Sequence, residues 1–598
     1  MLLERTHYCA QVGTLAAGEQ VIVAGWVRKR RDLGHLVFVD LYDRTGILQV
    51  VFDPERTPDL HRVGGDLGRE SVITVSGTVS ERPVDALNPS MATGQVELIA
   101  DRLTVHSTSK VPPIHLTGGS EANEELRLKY RYLDLRRPEM FRIIDLRHRT
   151  SQLTRSFYSS EGFIEVTTPY LMRSTPEGAR DFLVPSRLHK GMCYALPQSP
   201  QMLKQILMIS GVDRYFQIVK CFRDEDSRAD RQPEFSQIDV EMSFTRMDTL
   251  FDIHERLMQT IFKEAIGVDI PRPFQRMTWK TAMERYGSDK PDLRFGLEIR
   301  DITRLMIGSG IGFIDSTAAE GGVVRALVYP GGSILSRKQV SELEQVAKTR
   351  GAAGMIAVKV ESGNELSGGA IGKMLSSDRK QEVIASLGAN AGDLLCIVAG
   401  NAMIVANSLG AIRLEIARRE KMMTEEFRFL WVTEFPLLEY NEEDGRFYAM
   451  HHPFTSPMDE DIDWLDKEPG RCRAKAYDLV LNGIEIGGGS VRIHRADVQT
   501  RMFDVLGINA CKAEEQFGFF LEALRYGTPP HCGIAFGLDR LVMTLAGTDN
   551  LRDVIAFPKT LQAVCMMTQA PSSVTNDQLN IVGLQKKSDK NDKTDDCA

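Results

Sequence analysis

Residues Val219–Phe244, VKCFRDEDSRADRQPEFSQIDVEMSF, constrain this chain more than any other stretch. Two apolar-rich segments of strand length, RYFQIVKCF and FSQIDVEMSF, alternate well enough for antiparallel strands with one buried face. The loop between them is crowded with Arg, Asp and Glu, which excludes it from a core and leaves it to solvent or to a charged ligand. Arginines beside acids suit a nucleotide that brings phosphates and a metal ion. A solvated hairpin tip has the same composition, so the rest of the chain must decide.

At 598 residues the chain exceeds what one core supports, and about two to four domains are expected. Its net charge of −8 provides no global basic field, so any RNA-binding surface must be a local patch. Nine cysteines stand singly, without a C-x-x-C pair or zinc-type spacing, which predicts reduced thiols in a cytoplasmic protein. The first residues, MLLERTHYCAQVG, lack the order of a signal peptide. The most apolar region, DLLCIVAGNAMIVANSLGAI, is too interrupted by Gly and Asn for a membrane span.

Five short strands with turns between them, QVIVAGWV, HLVFVDLYD, GILQVVF, SVITVSGTV and QVELIADRLTV, fit a small closed barrel such as the OB-fold. Such barrels bind single-stranded nucleic acid with cationic side chains and an aromatic platform. Arg28, Lys29, Arg30 and Arg31 precede Phe38, and Gln49 lies on the following strand. The same residues also fit a solvated basic turn with Phe38 in the core.

Residues 109–140 read as a hinge, VPPIHL followed by a charged run. FRIIDLRHRTSQLTRSFYSSEG then predicts a helix, with Gly162 placed to stop it. The Gly-containing loop STPEGARDFLVPS has the makings of a lid, and QSPQMLKQILMISG predicts a helix with Gln201 and Lys204 on one face. From 286 to 424 the composition turns richer in Gly and Ser, which predicts an inserted α+β domain in which nothing looks catalytic. The last third holds the His pair of HHPFTSP, then AYDLVLNGIEIGGGSVRIH, read as short strands around an N-G turn and a glycine triplet, with Arg492 on the next strand. Asp478 and Glu485 stand there among apolar strand residues. GIAFGLDRLVMTLAG reads as strand, Gly turn and helix; Arg540 in its first turn is electrostatically misplaced unless an anion neutralises it. The terminal KKSDKNDKTDDCA predicts disorder.

Taken together, these segments carry a resemblance. FRDEDSRADRQPEFSQID resembles motif 2 of the class II aminoacyl-tRNA synthetases, GIAFG with GLDRL resembles motif 3, and GFIEVTTPYL resembles motif 1 with its proline. STPEGARDF, QSPQMLK, HHPFT and GGGSVRIH are similar to the bacterial-type aspartyl-tRNA synthetases. The fold class implied is α+β and multidomain. It comprises an OB-fold anticodon-binding domain (1–108), the hinge, an antiparallel-sheet catalytic domain in two parts (141–285 and 425–560), the inserted domain (286–424) and an extension (561–598). The resemblance also implies a cytoplasmic homodimer joined largely through motif 1, with no membrane attachment. It implies ATP and L-aspartate as substrates, Mg²⁺ as cofactor and tRNA(Asp) as partner.

The residues that match the family's motifs are implied to act as follows. Arg223 bridges the α-phosphate and the substrate carboxylate, and Arg540 holds the γ-phosphate. Asp224, Glu225, Gln232, Gly537, Leu538 and Asp539 accompany them around ATP, and Asp478 and Glu485 hold Mg²⁺. Arg492 and Lys204 read the aspartate side chain with His451 nearby; Asp239 either orients them or takes the ammonium, and Glu177 and Gln201 stand around the ammonium. Arg31, Phe38 and Gln49 read the anticodon. Leu33 stands where some relatives that also charge the asparagine tRNA carry a histidine, which favours an enzyme restricted to tRNA(Asp). Replacing Arg492 by Leu is expected to abolish aspartate activation and spare the fold.

Two other readings compete. An asparaginyl or lysyl enzyme shares the barrel and catalytic fold, but the lysyl pocket needs anions where this chain has Arg492 and Lys204. A catalytically silent RNA-binding relative would be signalled by loss of Arg223 or Arg540, and both are present.

Overall fold

The computed structural model describes residues 4–116, 118, 122–175, 179–225, 231–363 and 365–586. They divide into two compact units, one of residues 1–147 with 552–573, the other of 148–551 with 574–598.

In the first unit, the strands Gln20–Asp32, Val37–Asp43, Gly46–Phe52, Val72–Glu81 and Val96–Ser107 close into a barrel. Alternation fills its interior with side chains such as Val23, Val39, Leu48, Val75 and Leu98. The run Arg28–Arg31 is not a turn: it continues the first strand past a bulge between Val27 and Lys29, so that Arg31 pairs with Phe38. Phe38 lies on the outer face, half-buried, while its neighbours Val37 and Val39 fill the core. The charged run after the barrel is helical at Glu124–Lys129 and Arg131–Asp134. There the buried Arg131 pairs with Asp134 at 2.6 Å and donates to the carbonyls of Arg552, Ile555 and Ala556.

The second unit is built on an eight-stranded sheet. Its centre is antiparallel throughout: Phe429–Thr433, Ala476–Leu481, Ile484–Val491, His531–Gly537, Glu234–Ser243 and Arg214–Phe222, in that order. Gln275–Thr278 and Ile164–Glu165 add parallel edges. Helix Met247–Ile266 covers one face, stacking Phe251 on Trp431 at 4.3 Å. The predicted N-G turn forms with Asn482 and Gly483 both at positive φ, as a two-residue hairpin requires. The glycine triplet, however, does not separate two strands. It lies within Ile484–Val491, and Arg492 follows directly, bridging to Thr455. The reason is close approach: a Cβ on Gly489 would fall 2.0 Å from the carbonyl oxygen of Gly533 on the next strand.

Between Thr278 and Phe429 the chain makes a separate five-stranded sheet, including Val323–Tyr329, Ile356–Glu361 and Leu394–Gly400, packed with helices such as Arg337–Lys348 and Ala402–Arg419. The expected disorder of KKSDKNDKTDDCA falls, apart from Lys586, outside the described residues.

Candidate active site

A cavity of about 610 Å³ opens over the central strands, and Lys204, Arg223, Arg492 and Arg540, far apart in sequence, all line it. Each is delivered by a different element. Lys204 comes from the helix Gln201–Ile209, Arg223 from the end of Arg214–Phe222, Arg492 from beyond the glycine strand, and Arg540 from the first turn of Leu538–Ala546.

At one end of the cavity the charges are paired and buried. Lys204 Nζ lies 2.5 Å from Asp239 Oδ1 and 3.4 Å from Glu241 Oε2. Arg492 donates from Nε and a terminal nitrogen to the two oxygens of Glu241, at 2.9 and 3.1 Å. Its other terminal nitrogen meets Ser490 Oγ at 2.7 Å and His452 Nε2 at 2.6 Å. All four charged side chains are at most 2% exposed. Burial opposes the Glu241 charge, yet Arg492 and Lys204 hold its carboxyl below the ordinary value. Burial wins at Asp239, whose carboxyl is raised despite Lys204. Burial and then Arg492 drive His452 well below the usual histidine range, so it stays neutral.

Sequence reasoning missed Glu241, His452 and Ser490. Glu241 carried a signal: it stands two residues from Asp239, on the same face of one strand, and two buried carboxylates demand two cations. His451, expected near the two cations, lines the cavity with them and packs edge-on against Phe435 at 5.0 Å, its pKa lowered to about 4 by burial and then by Arg492; the direct contact to Arg492 is made by its neighbour His452.

At the other end stand Arg223, Arg540, Glu225, Gln232, Gly537, Asp478 and Glu485. The Arg223 guanidinium sits 5.1 Å from the Phe235 ring centre, and Arg540 donates to the Glu485 carbonyl at 3.2 Å. Asp539 reaches the cavity wall, but its carboxylate accepts the Ser236 N–H at 2.7 Å and ties the helix to the neighbouring strand. Two implied nucleotide contacts are not at the wall. Leu538 points into the core, 1% exposed, and Asp224 bridges back to Arg180. Glu177 lies outside the described residues.

Asp478 and Glu485 converge over Gly488, where a Cβ would sit 2.6 Å from Asp478 Oδ1 and 3.4 Å from Glu485 Oε1. Burial, then Glu485, then Asp289 raise the Asp478 carboxyl well above its ordinary value. Two carboxylates forced together this way fit a hard divalent cation that shares its remaining positions with water and phosphate. Among the described residues no group of three or more His, Cys, Asp or Glu is placed to hold a metal.

Four polar atoms of the wall are buried without a protein hydrogen-bond partner: Gln201 Nε2, Arg223 Nε, Asp239 Oδ2 and His451 Nδ1. Orphaned groups are costly, and their convergence on one cavity marks it as built for a polar ligand.

On the barrel, Arg31 donates to Asp40 Oδ1 at 2.7 Å and to Gln49 Oε1 at 2.9 Å, with its guanidinium 6.0 Å from the Phe38 ring centre. Gln49 in turn donates to Glu97 at 2.8 Å. Leu33 is 72% exposed in the adjoining loop.

A family model described as tRNA synthetases class II (D, K and N) matches residues 123–561, and one for an OB-fold nucleic acid binding domain matches 21–105. Over 578 residues the chain is 51% identical to the aspartate–tRNA ligase of Ruminiclostridium cellulolyticum, covering 96% of this chain and 97% of that one. It is also 51% identical to an aspartate–tRNA(Asp/Asn) ligase of Geobacillus sp. (strain WCH70), over 98% and 99% of the two chains. Among solved structures, asparaginyl-tRNA synthetase from Pyrococcus horikoshii, complexed with asparaginyl-adenylate, shares the fold with a TM-score of 0.59 at 18% identity, over 94% of this chain and 99% of that one.

Proposed function

The chain belongs to the class II aminoacyl-tRNA synthetases, among the aspartate–tRNA ligases, and from that premise we propose which side chains carry each step. The enzyme activates L-aspartate with ATP and transfers the aspartyl group to the 3′ end of tRNA(Asp). In the first step a carboxylate oxygen of aspartate forms a bond to the α-phosphorus while the bond to the bridging oxygen breaks, and pyrophosphate leaves with that electron pair. The nucleophile is already an anion, so no strong base is needed. The barrier lies in bringing two anions together in line, which cations on a rigid wall lower by neutralisation and positioning.

Arg223 bridges the α-phosphate and the attacking carboxylate, a task that suits a planar donor fork. Arg540 holds the γ-phosphate, with Glu225, Gln232 and Gly537 along the nucleotide. Asp478 and Glu485 would hold Mg²⁺, which when bound offsets phosphate charge. Arg492 and the remaining Lys204 proton receive the aspartate side chain; Asp239 Oδ2 and Gln201 take the ammonium. Arg31, Phe38 and Gln49 read the anticodon. The observation that carries this assignment is the convergence of four cations and four orphaned polar atoms on one cavity.

The same reading extends to a homodimer, supported by the exposure of Ile164 and Leu171 in the motif 1 segment, and to a cytoplasmic setting, supported by described cysteines that are all free thiols. No helix among the described residues is long and apolar enough to cross a membrane. Leu33 supports restriction to tRNA(Asp), although relatives of equal identity carry both specificities in their names. ATP–pyrophosphate exchange over a panel of amino acids tests the assignment. Exchange with aspartate alone supports it, and exchange driven by asparagine or lysine overturns it. Charging assays on purified tRNA(Asp) and tRNA(Asn) then decide the partner, and efficient misacylation would reverse the restriction.

A further inference from the structure

The inserted sheet carries a helix, Ala402–Arg419, with a buried arginine that has no carboxylate at ion-pair distance among the described residues. Arg413 is 1% exposed, and its guanidinium packs 4.0 Å from the Phe295 ring centre and 5.0 Å from that of Tyr286. Its hydrogen bonds go to the main chain: the carbonyls of Asp292 at 2.7 Å, Phe295 at 2.9 Å, Gly296 at 3.0 Å and Leu297 at 3.1 Å. Burial pulls its pKa down to about 10, which leaves it charged at neutral pH. A guanidinium that gathers consecutive carbonyls fixes the path of the backbone carrying them.

One turn back along the same helix there is a second anchor. A Cβ on Gly410 would sit 2.4 Å from the carbonyl oxygen of Gly287, and one on Gly287 would sit 2.1 Å from that of Ala406. Gly287 and Asp292 are the two ends of the short segment GSDKPD. Between them lies Asp289, which lines the same cavity as Asp478 and Glu485. The stretch that composition marks as catalytically silent therefore sends one carboxylate into the site and holds it there from both sides.

We propose that Arg413 is a positioning residue for adenylate formation: the inserted domain anchors both ends of Gly287–Asp292 and so sets the Asp289 carboxylate in the cavity wall that Asp478 and Glu485 also line, where its charge helps retain the divalent cation that accompanies ATP. The proposal rests on the reading of this cavity as the site of ATP and aspartate. Asp289 acts from outside the pair of ligands, through its field or through a bound water, as outer partners of metal sites do.

The test is calorimetric titration of the full-length enzyme with Mg·ATP and, separately, with aspartate, for the wild type, Asp289→Asn, Arg413→Met and the double variant. Asp289→Asn should weaken Mg·ATP binding about tenfold, the scale of lost outer partners at metal sites. Arg413→Met should weaken it at least about threefold, and the double variant should be no worse than Asp289→Asn, because the two substitutions remove one effect. Aspartate binding should change by less than about twofold in all of them, since a general loosening would spread to both substrates. Unchanged Mg·ATP affinity in Arg413→Met, additive losses in the double variant, or equal weakening of both substrates would overturn the proposal. Should Arg413→Met fail to fold, Arg413→Lys, which keeps the charge but reaches fewer carbonyls, takes its place with the same expectation. A wild type without aspartate-dependent pyrophosphate exchange would sink the functional reading itself; normal exchange with unmoved variants would sink only the role of Arg413.

Discussion

The two ends of the cavity solve opposite electrostatic problems. At the amino-acid end, Lys204 and Arg492 are balanced by Asp239 and Glu241, every charge is buried, and Glu241 is held ionised by its partners. At the phosphate end, Asp478 and Glu485 face one another and burial drives the Asp478 carboxyl up. Under the proposed assignment the first arrangement, already neutralised, selects by shape and charge, and the second, where two carboxylates crowd together, is relieved by the cation that comes with the nucleotide. A specificity pocket gains from rigidity, whereas a site for a ligand that must enter and leave with each turnover gains from being incomplete.

The largest effect is expected at the balanced end. Arg492→Leu should reduce aspartate-dependent exchange by about three orders of magnitude or more, because the substrate carboxylate and Glu241 would share a pocket with a single remaining cation. The sequence reading expected the fold to be spared; the pairing with Glu241 changes that expectation. Leaving Glu241 uncompensated should cost about 3–5 kcal/mol in denaturant unfolding at neutral pH. Glu241 sits below its ordinary pKa in the native state, so its stabilisation is present above the unfolded value and disappears as the pH falls through the folded one. The destabilisation by Arg492→Leu should accordingly shrink towards acid, and one that is constant across pH would break the account of the paired end.

Next in size is Arg223→Met, expected to lower the exchange rate about 10²–10³-fold with little change in stability. Unlike Arg492, Arg223 packs over Phe235 and has no carboxylate at ion-pair distance among the described residues, so its loss should affect rate far more than stability. A large loss of stability in this variant would erase the distinction between the two ends.

Asp478→Asn should move activity and stability in opposite directions. Its raised carboxyl makes the fold progressively less stable as the pH rises from the unfolded value towards the folded one, and the amide escapes that cost. The substrate-free variant should be more stable by about 0.5–2 kcal/mol at neutral pH while its Mg²⁺-dependent exchange is lost. A less stable variant would show that the carboxylate pair is structural. The smallest effect is reserved for the barrel: Phe38→Ala should raise the KM for tRNA(Asp) by roughly tenfold, the scale of one lost base stack, with pyrophosphate exchange unchanged.

Much of this was legible in the residues. Alternation announced the barrel strands and the hairpin strands around the charged loop, because period-2 burial is a local property of the backbone. The N-G turn read correctly for the same reason. Arg223, Arg540, Arg492 and Lys204 were singled out through their match to the family's motifs, yet nothing local distinguishes Lys204, 1% exposed in the structure, from a surface lysine on an amphipathic helix. The glycine triplet misled because glycine marks both strand ends and places where another backbone comes close, and only the neighbouring strand decides between them. Leu538 was carried along by its motif although its side chain serves the core.

By itself the sequence determined the barrel strands and the hairpin strands through their periodicity, while the antiparallel catalytic domain and the class of chemistry were implied by the resemblance of its motifs to a known family. Only the tertiary structure decided that Glu241 answers Arg492, that His452 rather than His451 touches it, and that an arginine of the inserted domain holds the segment bearing Asp289. Those contacts join residues about 40 to 250 positions apart, and the free energy of pairing a buried charge depends on where its partner comes to rest, not on where it stands in the chain.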